Sequence, residues 1–134
     1  MRRWLGLLAV LAAGCSSPTG GDHEYRLTIR PETEPVETGA VVTGTVNGII
    51  VEGGFEIGCA DGTTRGELQR PAARELVLIV HAQWPEPCLD GVSYFTYEAD
   101  IFVNAGRWHV QVLHTSSSMA ATPNTVFHDS VTVF

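Results

Sequence analysis

Phe95-Thr96-Tyr97-Glu98-Ala99-Asp100-Ile101-Phe102-Val103-Asn104-Ala105-Gly106-Arg107-Trp108-His109-Val110-Gln111-Val112 is the stretch that decides the fold. Phe95, Tyr97, Ala99, Ile101 and Val103 alternate with Thr96, Glu98, Asp100 and Phe102, and a period of two is the mark of a strand with one face buried. Asn104-Ala105-Gly106 supplies a short turn, after which Trp108, Val110 and Val112 resume the inward row.

The same alternation extends outward in both directions. Tyr25, Leu27 and Ile29 alternate with Arg26, Thr28 and Arg30 before Pro31 and Pro35 break the pattern. Val41 to Val46 and Ile49 to Val51 flank Asn47-Gly48, a pair that favours a tight hairpin turn. Phe55, Ile57 and Cys59 form the next inward set, and Gly53-Gly54 ahead of them suits a bulge or bend. Leu76 to Ala82 is almost wholly apolar and fits a strand in the middle of the core. The last strand runs from Val126 to Val133, with Phe127, Val131 and Val133 on one side. The single helical candidate is Gly66 to Glu75, which Pro71 limits to about one turn. Seven or eight short strands in about 110 residues predict an all-β domain, an antiparallel two-sheet sandwich.

Gly106-Arg107-Trp108-His109-Val110-Gln111-Val112, followed by the closing Ser130-Val131-Thr132-Val133, resembles the penultimate and last strands of immunoglobulin-like and fibronectin-like domains. That resemblance implies a fold and leaves function open. Cys59 and Cys88 lack the wide cysteine spacing of antibody domains, and Cys88 follows Pro85-Glu86-Pro87, so a Cys59–Cys88 disulfide is expected to join a strand end to a loop.

The first residues have a different character. Arg2 and Arg3 precede an uncharged apolar run, Trp4 to Ala13, which is too short to span a bilayer at about 20 residues per helix. A basic start, a short apolar run and small residues before a cut make an export signal. Leu11-Ala12-Ala13-Gly14-Cys15 resembles the bacterial lipobox, with Ala12 where leucine is usual. The resemblance implies that Cys15 receives diacylglycerol, that residues 1–14 are removed, and that the new amino terminus is acylated. Several acyl chains give stable anchoring. Residues 15–24 then read as the lipidated cysteine and a flexible tether rich in Ser, Gly and Pro, and residues 25–134 as the β-sandwich domain. The expected location is the cell envelope, on a membrane facing the periplasm or exterior. Ser16 after the cysteine favours the outer membrane in a diderm cell.

Loss of the signal removes Arg2 and Arg3 from the eight basic residues, so six arginines face fifteen carboxylates and the formal charge moves from −7 to −9. The chain has no lysine, and its arginines form no stripe in sequence that could follow a phosphate backbone, which argues against nucleic acid. An acidic surface also discourages adsorption onto anionic lipid, leaving the acyl chains to hold the membrane. With Cys15 taken by lipid, Cys59 and Cys88 remain to pair in a compartment that permits disulfides.

No catalytic motif stands out, and no cofactor is called for. Glu98 and Asp100 share one face of a strand, as a carboxylate pair could, but they read as its polar side. Asp61-Gly62 and Asp90-Gly91 are turns with one carboxylate each, too few for a calcium loop. His81, His109, His114 and His128 lie on predicted strands, with His109 and His114 expected on opposite faces, a poor arrangement for one metal site. Trp84, Tyr94 and Phe102 are the candidates for contact with a protein or glycan partner, because exposed aromatics concentrate binding energy. The reading is a non-catalytic binding or structural module of the envelope; the alternative is a metal-binding or small enzymatic domain using the strand histidines.

Overall fold

The computed structural model describes residues 25–116 and 123–134. The signal, Cys15 and the tether therefore lie outside the described residues, as do Ser117 and Ser118. Eight strands are present: β1 Tyr25–Glu32, β2 Gly39–Thr45, β3 Gly48–Ile57, β4 Thr63–Gln69, β5 Glu75–Gln83, β6 Ser93–Phe102, β7 Gly106–Ser116 and β8 Asn124–Val133. They form two four-stranded sheets, ordered β1-β6-β3-β2 and β4-β5-β7-β8, which together make a β-sandwich.

The alternating residues do what their period requires. Ile49, Val51, Phe55 and Ile57 of β3 and Phe95, Tyr97, Ala99 and Ile101 of β6 face Leu76, Leu78 and Val80 of β5 and Trp108, Val110 and Val112 of β7. All are buried. Each large side chain withdrawn from water stabilises the fold by about 1.5–3 kcal/mol.

Three expectations need correction. The sheets are not wholly antiparallel, because β5 and β7 pair in parallel. The chain leaves β5 for the other sheet, runs back along β6, and returns, so β7 arrives beside β5 pointing the same way. Residues 66–75 hold no helix: Gly66 to Gln69 belong to β4, paired to β5 with Leu68 opposite Leu78. That cross-strand burial outweighs the weak helical propensity of a segment ending in proline. Gly53-Gly54 makes no bulge either. β3 runs through both glycines in unbroken register with β2 and β6, and their purpose is space. A Cβ on Gly53 would come within 2.4 Å of the Tyr97 ring and 2.6 Å of the Gly39 carbonyl oxygen.

At the β2–β3 hairpin Thr45 opposes Gly48, so Val46 and Asn47 are the turn residues, and Asn47 takes the left-handed conformation with φ of 60°. Phe134 N–H donates to the Thr45 carbonyl and Asn47 N–H donates to the Phe134 carbonyl, which stitches the end of β8 to this turn across the gap between sheets. Gly44 permits the approach, since a side chain there would strike the Thr132 carbonyl. At the opposite end Cys59, just beyond β3, is disulfide-bonded to Cys88 in the β5–β6 loop.

Replacing Gly53 with alanine should destabilise the domain by roughly 1–3 kcal/mol, the usual cost of overpacking against a fixed backbone and a buried ring. Urea unfolding monitored by circular dichroism measures it; an unchanged midpoint would show that Tyr97 does not need the space.

Candidate functional site

The disulfide end of the sandwich carries a cleft of about 290 Å³. Trp84 and Ala82 come from the end of β5, Phe55 and Ile57 from β3, His114 to Ser116 from β7, and Asn124 from the start of β8, with Thr38 ahead of β2. Its inner wall is aromatic and its rim is hydroxyl and amide, the usual makeup of a small-ligand site. A larger groove, about 480 Å³, follows β2 past Gly53 and Gly54 between Glu37 and Glu52. Its lining includes no aromatic ring.

His114 is the polar residue of the core. Its Nε2 lies 2.6 Å from the Tyr97 hydroxyl, its ring sits 5.1 Å from that of Phe55 and edge-on to Tyr97, and only 9% of it is exposed. Burial disfavours charge on either partner. It lowers the His114 pKa to about 4 and raises that of Tyr97 well above the ordinary phenol value. A neutral imidazole therefore accepts the Tyr97 proton at Nε2, which satisfies the buried hydroxyl and leaves the hydrogen on Nδ1. That N–H has no hydrogen-bond partner among the described residues, and His114 is one of the residues lining the cleft.

A second network lies on the outer face of β4, β5 and β7. His81 Nε2 is 2.9 Å from Glu67 Oε1, and Thr115 Oγ1 is 2.6 Å from His81 Nδ1. With the carboxylate accepting from Nε2–H, Nδ1 accepts from the Thr115 hydroxyl. The hydrogen bond from His81, then one from Gln69, hold the Glu67 carboxyl below the usual carboxylate range. Carboxylate, imidazole and hydroxyl in line resemble a nucleophilic relay in composition. Acyl transfer also needs donors aimed at a developing oxyanion, whereas what the geometry shows is three side chains joined across the paired strands β4, β5 and β7. The network is a polar brace across three strands.

The four strand histidines do not gather at one place. His109 and His114 project to opposite faces of β7, as their spacing requires. His109 instead meets His128 of β8 on the exposed face, Nε2 to Nε2 at 2.8 Å. Cys59, Asp61 and Cys88 also crowd together, but the sulfurs are spent on each other and Asp61 accepts the Leu89 N–H. Asp100 is register-paired with Arg26, and Glu98 with Thr28 on one side and Glu52 on the other, which places both carboxylates on the outer polar face.

The three aromatic candidates do not form one surface. Tyr94 and Phe102 stand at opposite ends of β6, about 26 Å apart at 3.3 Å per residue. Trp84 alone lines the cleft. Phe102 is half-exposed at the far end. Tyr97 was expected in the inward row and His81 and His114 among the strand histidines, but the Tyr97–His114 pair and the Glu67–His81–Thr115 brace were missed, because each needs the register between strands distant in sequence. Glu67 was further hidden in the segment expected to be helical. No family model, no curated protein and no solved structure matches the chain.

Because the His114 pKa is depressed in the fold, its contribution to stability is present above the ordinary histidine value of about 6.5 and is lost as pH falls toward 4. Between pH 7.5 and pH 5 the loss should be roughly 2 kcal/mol. His114→Gln keeps an acceptor for Tyr97 without titrating, and unfolding curves across this window should flatten in the variant. An equal slope in both proteins would place the titration elsewhere.

Proposed function

We propose that the protein is an envelope lipoprotein, tethered to a membrane through Cys15, whose β-sandwich is a non-catalytic binding module. Its binding surface is the cleft beside Trp84. The observation that carries this is that a half-buried indole, Trp84, and a buried neutral histidine, His114, line one cleft. An aromatic face takes the apolar side of a ring, and an inner donor orients it through a hydroxyl or carbonyl. Thr38, Ser116 and Asn124 offer further hydrogen bonds at the rim. A sugar ring of an envelope glycan matches this chemistry, and a protein side chain or turn presenting the same groups is the other partner the cleft would accept. The tether and the outer membrane as its site follow from the lipobox resemblance and Ser16.

Trp84→Ala should weaken capture of envelope glycan fragments by roughly thirtyfold, the effect of losing a contact worth about 2 kcal/mol. Saturable change in Trp84 fluorescence on titration with those fragments is the readout. If neither glycans nor proteins drawn from an envelope extract depend on Trp84, the cleft is not the binding surface.

The His109–His128 pair supports a second reading, a metal site. With metal–nitrogen bonds of about 2.0 Å, two nitrogens 2.8 Å apart subtend about 90° at the ion. That angle suits tetragonal Cu(II) or Ni(II). One equivalent of Cu(II) should then bind with nitrogen hyperfine structure in its electron paramagnetic resonance spectrum, and His109→Ala should abolish it. Absence of stoichiometric binding removes this reading.

A further inference from the structure

The end of the sandwich opposite the cleft has its own chemistry. The chain enters the domain there, because Tyr25 at the start of β1 pairs with Ile101 near the end of β6. The β2–β3 turn and the end of β8 lie at the same end. Three large apolar side chains are left in water here, Val46 at 74% exposure, Phe134 at 70% and Phe102 at 51%. Val46 and Phe102 line one hollow together with Arg26.

Charge is sorted along the same axis. Within two residues of the strand ends on this side stand Arg26, Arg70, Arg74 and Arg107 against Glu67, Glu75 and Asp100. Arg70 and Arg74 flank the Trp108 ring. At the cleft end the balance reverses, with Glu32, Glu34, Glu37, Glu56 and Asp61 against Arg30 and Arg65 within the same distance, and Glu86 and Asp90 farther out in the β5–β6 loop. An acidic domain thus has one end where arginines outnumber carboxylates, and Val46 and Phe134 at that end are the most exposed large apolar residues among those described.

We infer that this end docks on the bilayer surface beside the lipid anchor, with Phe102 and Val46 in the interfacial layer and the arginines over anionic headgroups. The inference rests on the lipoprotein reading above. Nine residues, 16–24, separate Cys15 from Tyr25, a link that reaches at most about 35 Å when fully extended, so the anchored end can never travel far from the membrane. Apolar side chains and cations placed together favour the anionic interface. Docked in this way, the domain turns its Trp84 cleft away from the bilayer.

The two tryptophans of the processed domain report the two ends. Lipidated protein is reconstituted in phosphatidylcholine–phosphatidylglycerol vesicles containing brominated acyl chains, which quench nearby indoles. In a Trp84→Phe variant, Trp108 fluorescence should be quenched, and the quenching should weaken at high salt. Adding Val46→Ser and Phe102→Ser, both exposed positions, should abolish the quenching while the protein still floats with the vesicles. Flotation with Trp108 no more quenched than in bromine-free vesicles would overturn the docking and leave the anchor intact. A purified protein whose Cys15 carries no lipid by mass spectrometry would overturn the anchor, and the docking with it.

Discussion

Strand β6 is held in one sheet by β1 and β3, while its neighbours in sequence, β5 and β7, both lie in the other. Its inward row, Phe95, Tyr97, Ala99 and Ile101, therefore closes the core between the two sheets and cannot slip by one residue without turning Thr96, Glu98 and Asp100 inward. With that register set, the chain must cross from β5 to β6 at one end and from β6 to β7 at the other. The parallel β5–β7 pair follows, and so does the placement of the β5–β6 crossing loop at the disulfide end.

The same row introduces the core's polar element. Tyr97 is buried where a fully apolar ring would pack, and an unpaired hydroxyl there would cost about 1–3 kcal/mol. His114 satisfies it from the facing sheet, and Gly53 yields the room. The arrangement is self-consistent only while His114 stays neutral, since protonation would remove the acceptor and bury a charge. A domain that needed only stability could place phenylalanine at 97 and an aliphatic residue at 114. The neutral imidazole instead couples the two sheets through one buried polar contact beside the cleft.

Much of this fold was legible in the sequence because it rests on a period of two. Every strand with a clean alternation, from Tyr25 through Val133, lies where its pattern requires, and the Cys59–Cys88 bridge joins a strand end to a loop. What alternation does not encode is which strands become neighbours. Leu68 looked helical because the burial opposite Leu78 that makes it a strand residue lies ten positions away. His81, Glu67 and Thr115 are unremarkable singly, and only the β4-β5-β7 order aligns them. The glycine pair failed for a related reason. Gly53 and Gly54 read locally as backbone freedom, whereas Gly53 answers a ring on another strand.

Net charge misleads in the same way. At −7 the chain looks uniformly hostile to an anionic surface, because Arg26, Arg70, Arg74 and Arg107 are scattered over 82 positions of sequence. Antiparallel and crossing strands return the chain to the same end again and again, and residues beside alternate turns accumulate there whatever their separation. The fold thus gathers a dispersed set of arginines at one end and leaves most of the turn carboxylates at the other. Screening at physiological salt acts over about 8 Å, shorter than a ten-residue strand, so each end presents its own charge to what lies against it. The start of β1 at one end and the Trp84 cleft at the other are then consequences of a single topology, since the residue that begins β1 and the residues that finish β3, β5 and β7 necessarily lie a strand's length apart.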